Sequence, residues 1–332
     1  MRFRISPRRS LCPLWQILPN ICKTAFLASF ALFCLASCRW QTLPHLGRND
    51  KETRVVTDQI GRRVTLPAQP QRVITLAPYL TEIVYALGAG DKLVGDTTYC
   101  NYPAAAQKVE KVGDTLKPNL DRIIALQPDV VLVSTASQLE AFAAQLDGQG
   151  IAVYVTQPRD LAGVLRSINE IGDLLNARSA AESLSNELQG RIEGVEEAVK
   201  DKTPVSVFVQ ISAQPIYTAG RDSWLTDIVK RAGGKSVTAE VAGEWPNFSA
   251  ESALAAKPEA VILSSDEAMG NSEPAAPLKD SPAVKNKRVY KINGDLLARP
   301  GPRLVKGLEE IAQAQHPEAF AVEGQKSKVE GQ

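Results

Sequence analysis

A chain of 332 residues that is 44% hydrophobic holds more apolar material than one core uses, since a single core stops growing at roughly 250 to 300 residues; two lobes are expected. Its 38 Lys and Arg offset 37 Asp and Glu to leave a net charge of +1, and without a long basic block to neutralise phosphates, nucleic acid is not an expected partner. The two histidines, His45 and His316, stand beside no acid or nucleophile. With no Cys/His metal spacing, no G-x-S-x-G and no phosphate loop, the chain lacks the material for catalysis, and no enzyme, catalytic residue, metal or resident cofactor is expected.

Taken in chain order, Arg2, Arg4, Arg8 and Arg9 precede the apolar run "TAFLASFALFCLAS", which is too short to span a bilayer comfortably and reads as an export signal over 1–37. Leu35-Ala36-Ser37-Cys38 resembles a bacterial lipobox. That resemblance implies lipidation at Cys38 and an extracytoplasmic protein, in the periplasm or at the cell surface, held to the membrane by its acyl chains. Cys12, Cys22 and Cys34 leave with the signal, so Cys100 is the one thiol left and no disulfide framework is available. Residues 38–53 are polar, carry Pro and Gly, and read as a tether. "TRVVTDQIGRRVTLP" then alternates apolar and polar residues around Gly61, the pattern of a small β-hairpin.

From here the chain repeats itself. "NLDRIIALQPDVVLVS" (119–134) and "SAESALAAKPEAVILS" (249–264) superpose without a gap at an offset of 130. Each reads as an Asn or Ser cap, an acid in the first turn, a short helix, a Pro stop and a buried strand. A second echo pairs "TEIVYALGAG" (81–90) with "TDIVKRAGG" (226–234), each a helix closed by a left-handed Gly. Between the halves, Leu184, Leu188, Ile192, Val195 and Val199 fall at helical spacing, which predicts one helix over 178–200, about 35 Å long. The strands "IAVYVT", "VSVFVQIS", "AVILSS" and "RVYKIN" alternate with helices, as parallel sheets require. The expected fold is α/β: two Rossmann-like lobes with mainly parallel central sheets, 54–177 and 201–316, bridged by the long rigid helix, with a polar tail over 317–332.

Several residues carry the functional reading. Asp295 and Arg299 in "INGDLLARPGPR" stand at i and i+4, either as a helix-surface ion pair or as polar hooks for a bound molecule. Pro300 and Pro302 favour the hooks, because they turn the segment into a strand-to-helix loop with Pro302 in the first helical turn. Tyr99 and Trp245 offer flat area with a polar edge, and Tyr79 and Tyr217, read as lying in loops after strands, are further candidate walls. Trp224 reads as a packing residue at a helix start. Asp121 and Glu251 are equivalent across the repeat, and helix dipoles alone account for acids there.

The export signal, "RVITLAPYLTEIVYALGAGDKLVG", "NYP", "PNLDRIIALQPDVVL", the connecting helix and "GDLLARPGPRLVKGLEEIAQ" together resemble the substrate-binding proteins of ABC importers for cobalamin, ferric siderophores and haem. The resemblance covers about residues 70–315 and implies the class III periplasmic binding protein architecture, with the ligand between the lobes. Within that family the chain is most similar to the cobalamin binders. By that similarity Tyr99 in "TTYCNYP" and Trp245 in "EWPNFS" pack on a corrin, Asp295 and Arg299 bond its side-chain amides, and Asp121 and Glu251 dock on the arginines of a permease dimer that works with its ATPase subunits. Thr115 and Ser134 stand where the cobalamin binder has tryptophans, which leaves a ferric siderophore or haem as the alternative cargo. The resemblance implies a ligand that is carried and not a cofactor, and a monomer is expected.

Overall fold

The computed structural model describes residues 52–134, 139–265 and 273–321; the expected signal, Cys38 and most of the tether and tail lie outside them. The described chain opens on an antiparallel hairpin of β1 (Thr53–Thr57) and β2 (Arg63–Pro67), one residue earlier than the expected start of the first lobe. Gly61 turns it at φ +84°, a conformation that glycine adopts without steric cost. Asp58 holds the turn by accepting the N–H of Arg62 at 2.8 Å on one carboxylate oxygen and its Nε at 2.9 Å on the other.

The first lobe runs β3 (Val73–Thr75), α1 (Pro78–Ala86), β4 (Leu93–Gly95), α2 (Leu120–Ala125), β5 (Val130–Ser134), α3 (Leu139–Asp147), β6 (Ala152–Thr156) and α4 (Leu161–Leu174). Its sheet has the order β4-β3-β5-β6 with every pair parallel. After α5 (Arg178–Val199) the second lobe follows with β7 (Val205–Ala213), β8 (Ile216–Thr218), α6 (Trp224–Arg231), β9 (Gly234–Ser236), α7 (Ala250–Ala255), β10 (Ala260–Ser265), α8 (Pro282–Lys285), β11 (Val289–Asn293), α9 (Gly294–Leu297) and α10 (Leu304–Gln315). Here the order is β11-β10-β7-β8, with β9 beside the start of β7. The strands run parallel as expected except β8, which turns back antiparallel on β7. β4, β8 and β9 are three residues each, too short to show a period of two in the sequence.

The repeat is built from the same backbone devices in both lobes. Asn119 accepts the N–H of Arg122 at 3.0 Å and Ser249 that of Ser252 at 3.0 Å, capping α2 and α7. Both helices are stopped by a left-handed residue one step before the proline, Gln127 at φ 45° and Lys257 at φ 43°. The acid after the proline then holds the neighbouring strand: Asp129 accepts the N–H groups of Gln71 and Arg72 at 2.8 and 3.0 Å, and Glu259 accepts that of Ser206 at 2.8 Å. In the second echo, Gly88 and Gly233 follow α1 and α6 at φ 70° and 79°.

α5 spans 22 residues, about 33 Å at 1.5 Å per residue. It packs against α4 of the first lobe and α10 of the second, and Leu188, Ile192, Val195 and Val199 on its buried stripe join one core cluster that runs through both lobes. Polar ties reinforce the contact with each lobe: Ser185 bonds Asn169 at 3.0 Å, and Arg191 grips Glu309 through two bonds of 2.8 and 2.7 Å. The tail is folded further than its composition predicts. Glu318 pairs with Lys202 at 3.2 Å and Phe320 packs on the core, because a single aromatic beside a core buries apolar area whatever the polarity of its neighbours.

Candidate ligand-binding cleft

A cleft of about 800 Å³ opens between the lobes. Its first wall comes from the carboxyl ends of β3, β5 and β6, through Pro78 and Tyr79, Ser134, and Gln157 to Arg159; its second comes from Ile211, Asp222, Trp224, Glu244, Trp245 and Arg299. Parallel strands end there and hand over to loops and helix starts, which is where open α/β sheets hold ligands. Two loop residues, Tyr99 and Thr115, complete the lining.

Tyr99 reaches the cleft with 58% of its surface free, so a ligand can cover a flat face. Trp245 is half-buried and braced: Trp224 meets it edge-on, with ring centroids 4.9 Å apart at 78°. Trp224 is itself pinned, its Nε1–H donating to the Leu297 carbonyl at 2.8 Å, so it packs as expected and lines the cleft as well. Tyr79 is a wall residue of another kind. It lies in the first turn of α1 and not in a loop, its hydroxyl sits 2.6 Å from Thr156 Oγ1, and burial pushes its pKa up to about 12. Thr115 and Ser134 also line the cleft, small and polar where the resemblance to the cobalamin binders implies tryptophans.

Two expected site residues fall outside the lining. Tyr217 is the middle residue of β8, where Ile216 and Thr218 are buried; strand alternation turns its side chain to the other face. Asp295 sits in the one-turn helix α9 and gives its carboxylate to Arg299, Oδ1 to Nη2 at 2.6 Å. The ion pair and the hooks are therefore not alternatives of equal standing: Asp295 is a partner of Arg299, and of the two only Arg299 faces the cleft. Nor does Pro302 enter the following helix. α10 starts at Leu304 after a turn in which the Leu304 N–H donates to Gly301 O at 3.0 Å.

Sequence reasoning missed what holds Arg299. Glu82, on α1 of the first lobe with a side chain 2% exposed, accepts from Arg299 Nη1 at 3.1 Å and from Arg303 at 2.6 and 2.9 Å. Asn101 Oδ1 accepts a further Arg299 N–H at 2.7 Å, and Arg303 lies 4.0 Å over the Tyr102 ring. The available signal was an acid in the middle of the apolar helix "PYLTEIVYA", which demands a buried partner. The polar patch of Arg159, Asp222 and Glu244 was also missed, because charged loop residues carry no pattern.

Asp121 and Glu251 are both exposed, in the first turns of α2 and α7. Cys100 is buried within 3.2 Å of the Thr81 and Thr97 hydroxyls, and burial raises its thiol pKa, which makes it unreactive. Among the described residues no group of three His, Cys, Asp or Glu could hold a metal ion.

The periplasmic binding protein family model matches residues 73–296. The uncharacterized ABC transporter substrate-binding lipoprotein YvrC of Bacillus subtilis is 34% identical over 80% of this chain and 86% of its own length. The vitamin B12-binding protein of Vibrio campbellii is 31% identical over 73% of this chain and 88% of its own. Among solved structures, the periplasmic vitamin B12 binding protein BtuF of Vibrio cholerae superposes with a TM-score of 0.68 at 27% identity, covering 76% of this chain and 99% of that one. Family match, shared architecture and an inter-lobe cleft agree: the chain belongs to the periplasmic binding proteins, as an extracytoplasmic substrate-binding protein of an ABC importer and not an enzyme.

Proposed function

We propose that the cargo is a corrinoid, held in the cleft between Tyr99 and Trp245 and passed to the permease. The carrying observation is that an aromatic residue from each lobe lines an 800 Å³ cleft, with one ring braced edge-on by Trp224. Flat apolar area on two sides suits a large, nearly planar macrocycle whose rim is polar, and the similarity to vitamin B12-binding proteins of Vibrio supports the same choice. Lipidation of Cys38 would keep the loaded protein at the membrane. The exposed acids Asp121 and Glu251, equivalent in the two lobes, would set its register on a permease dimer and speed encounter.

Titration of the purified mature protein with cyanocobalamin tests the cargo. Quenching of the Trp224 and Trp245 fluorescence at micromolar ligand is expected, weakened at least about tenfold in Trp245→Ala, the loss of roughly 1.4 kcal/mol or more of contact. No quenching by cyanocobalamin alongside quenching by haemin or a ferric siderophore would replace the corrinoid with a metal chelate. In uptake assays Asp121→Ala with Glu251→Ala should abolish transport without changing this titration; unchanged uptake would remove the docking role.

A further inference from the structure

The charges of the cleft do not balance as their count suggests. Its lining holds two guanidiniums, Arg159 and Arg299, and two carboxylates, Asp222 and Glu244. Arg299, however, is only 11% exposed and already serves two acids, Glu82 at 3.1 Å and Asp295 at 2.6 Å. Its positive charge is neutralised before any ligand arrives. Among the described residues, an entering molecule therefore meets two carboxylates and one guanidinium. Arg221 lies 3.9 Å from Asp222 on the same loop, where both are more than half exposed, but of the two only Asp222 lines the cleft. The internal stretches outside the description, 135–138 and 266–272, contain no Lys or Arg.

Burial raises the pKa of Glu244; Arg159 from the facing lobe lowers it, and Asp222 raises it by less than Arg159 lowers it. Asp222 is fixed in place by the Gly243 N–H, which donates to its Oδ2 at 3.0 Å. Both acids are thus set at the cleft by the second lobe's loops, facing Arg159, the cation that the first lobe's described residues bring to the lining.

We propose that Asp222 and Glu244 make the cleft charge-selective, rejecting multiply anionic metal chelates and admitting a ligand without net negative charge whose rim carries amides. The inference rests on the corrinoid reading for the identity of that ligand, but the rejection of anions stands on the lining alone. Carboxylates accept from amide N–H groups and Arg159 donates to amide carbonyls, whereas each ligand carboxylate would face like charge in a partly desolvated space.

Haemin, with two propionates, is the probe, titrated into the wild type and into Asp222→Asn with Glu244→Gln at neutral pH and low salt. The double variant should bind haemin at least about tenfold more tightly, a factor that one or two removed repulsions supply. Wild-type binding of haemin should strengthen as salt screens the repulsion. A gain below about threefold, or wild-type binding that weakens with salt, would overturn the charge rule. Cyanocobalamin titrated in parallel into the wild type judges the corrinoid reading separately: its failure to bind, with the haemin gain present, would remove the corrinoid and leave the selectivity.

Discussion

α1 and α6 are copies of one helix, and each sends an acid across to the other lobe. Glu82 in "TEIV" reaches Arg299 and Arg303; its counterpart in "TDIV", Asp227, accepts the Leu161 N–H at the start of α4 at 3.2 Å and pairs with Arg231 of its own helix at 2.9 Å. The two differ in depth, with side chains 2% and 23% exposed, and in the partner met on the other lobe, two guanidiniums against one amide. The first-lobe acid can go deeper because the Arg-Pro-Gly-Pro-Arg loop presses on α1: a Cβ added at Gly301 would lie 3.1 Å from that of Tyr79. The lesson is that a doubled motif fixes where an acid emerges, while the opposing lobe decides what it is worth.

The sharpest way to break this comparison is to remove both acids separately. Glu82→Ala leaves Arg299 and Arg303 without their buried partner and should cost about 3 to 5 kcal/mol in urea unfolding; a loss no larger than that of Asp227→Ala would end the asymmetry. A buried acid with only one cation should behave differently again. Asp96 bonds Lys111 at 2.7 Å, yet its second oxygen has no protein partner, and burial pushes its pKa up to about 6. A raised acid favours the fold when protonated, so this contribution is full below pH of about 4 and is lost as pH rises through about 6. Asp96→Asn should flatten that fall by about 2 kcal/mol, and an unchanged pH profile would show that Lys111 compensates the charge.

Asp227→Asn is expected to cost about 1 kcal/mol, since it weakens one partly exposed charged contact and keeps a hydrogen-bonding oxygen. The smallest effects test the repeat itself. Gln127→Gly and Lys257→Gly relieve left-handed strain at equivalent positions and should each stabilise by about 0.5 to 1 kcal/mol. Unequal gains would mean that the two copies are not held by the same turn.

Of the cleft, the aromatics were legible and the electrostatics were not. Tyr99 and Trp245 stand out by size and by the segments around them, and both line the cavity. Asp295 and Tyr217 were also read from local sequence as candidates, but one is taken by Arg299 and the other turned away by β8. Arg159, Asp222 and Glu244 come from separate loops on two lobes, so their meeting has no local trace.

Local chemistry by itself determined the hairpin at Gly61, the caps of the doubled unit, the buried strands and the bridging helix, because each depends on residues within a few turns of one another. Only the tertiary structure decided which charges are free: whether an arginine greets a ligand or is already spent depends on acids such as Glu82 that lie far away in the chain, and the energy of a charge depends on its neighbours and its exposure to water, not on its position in the sequence.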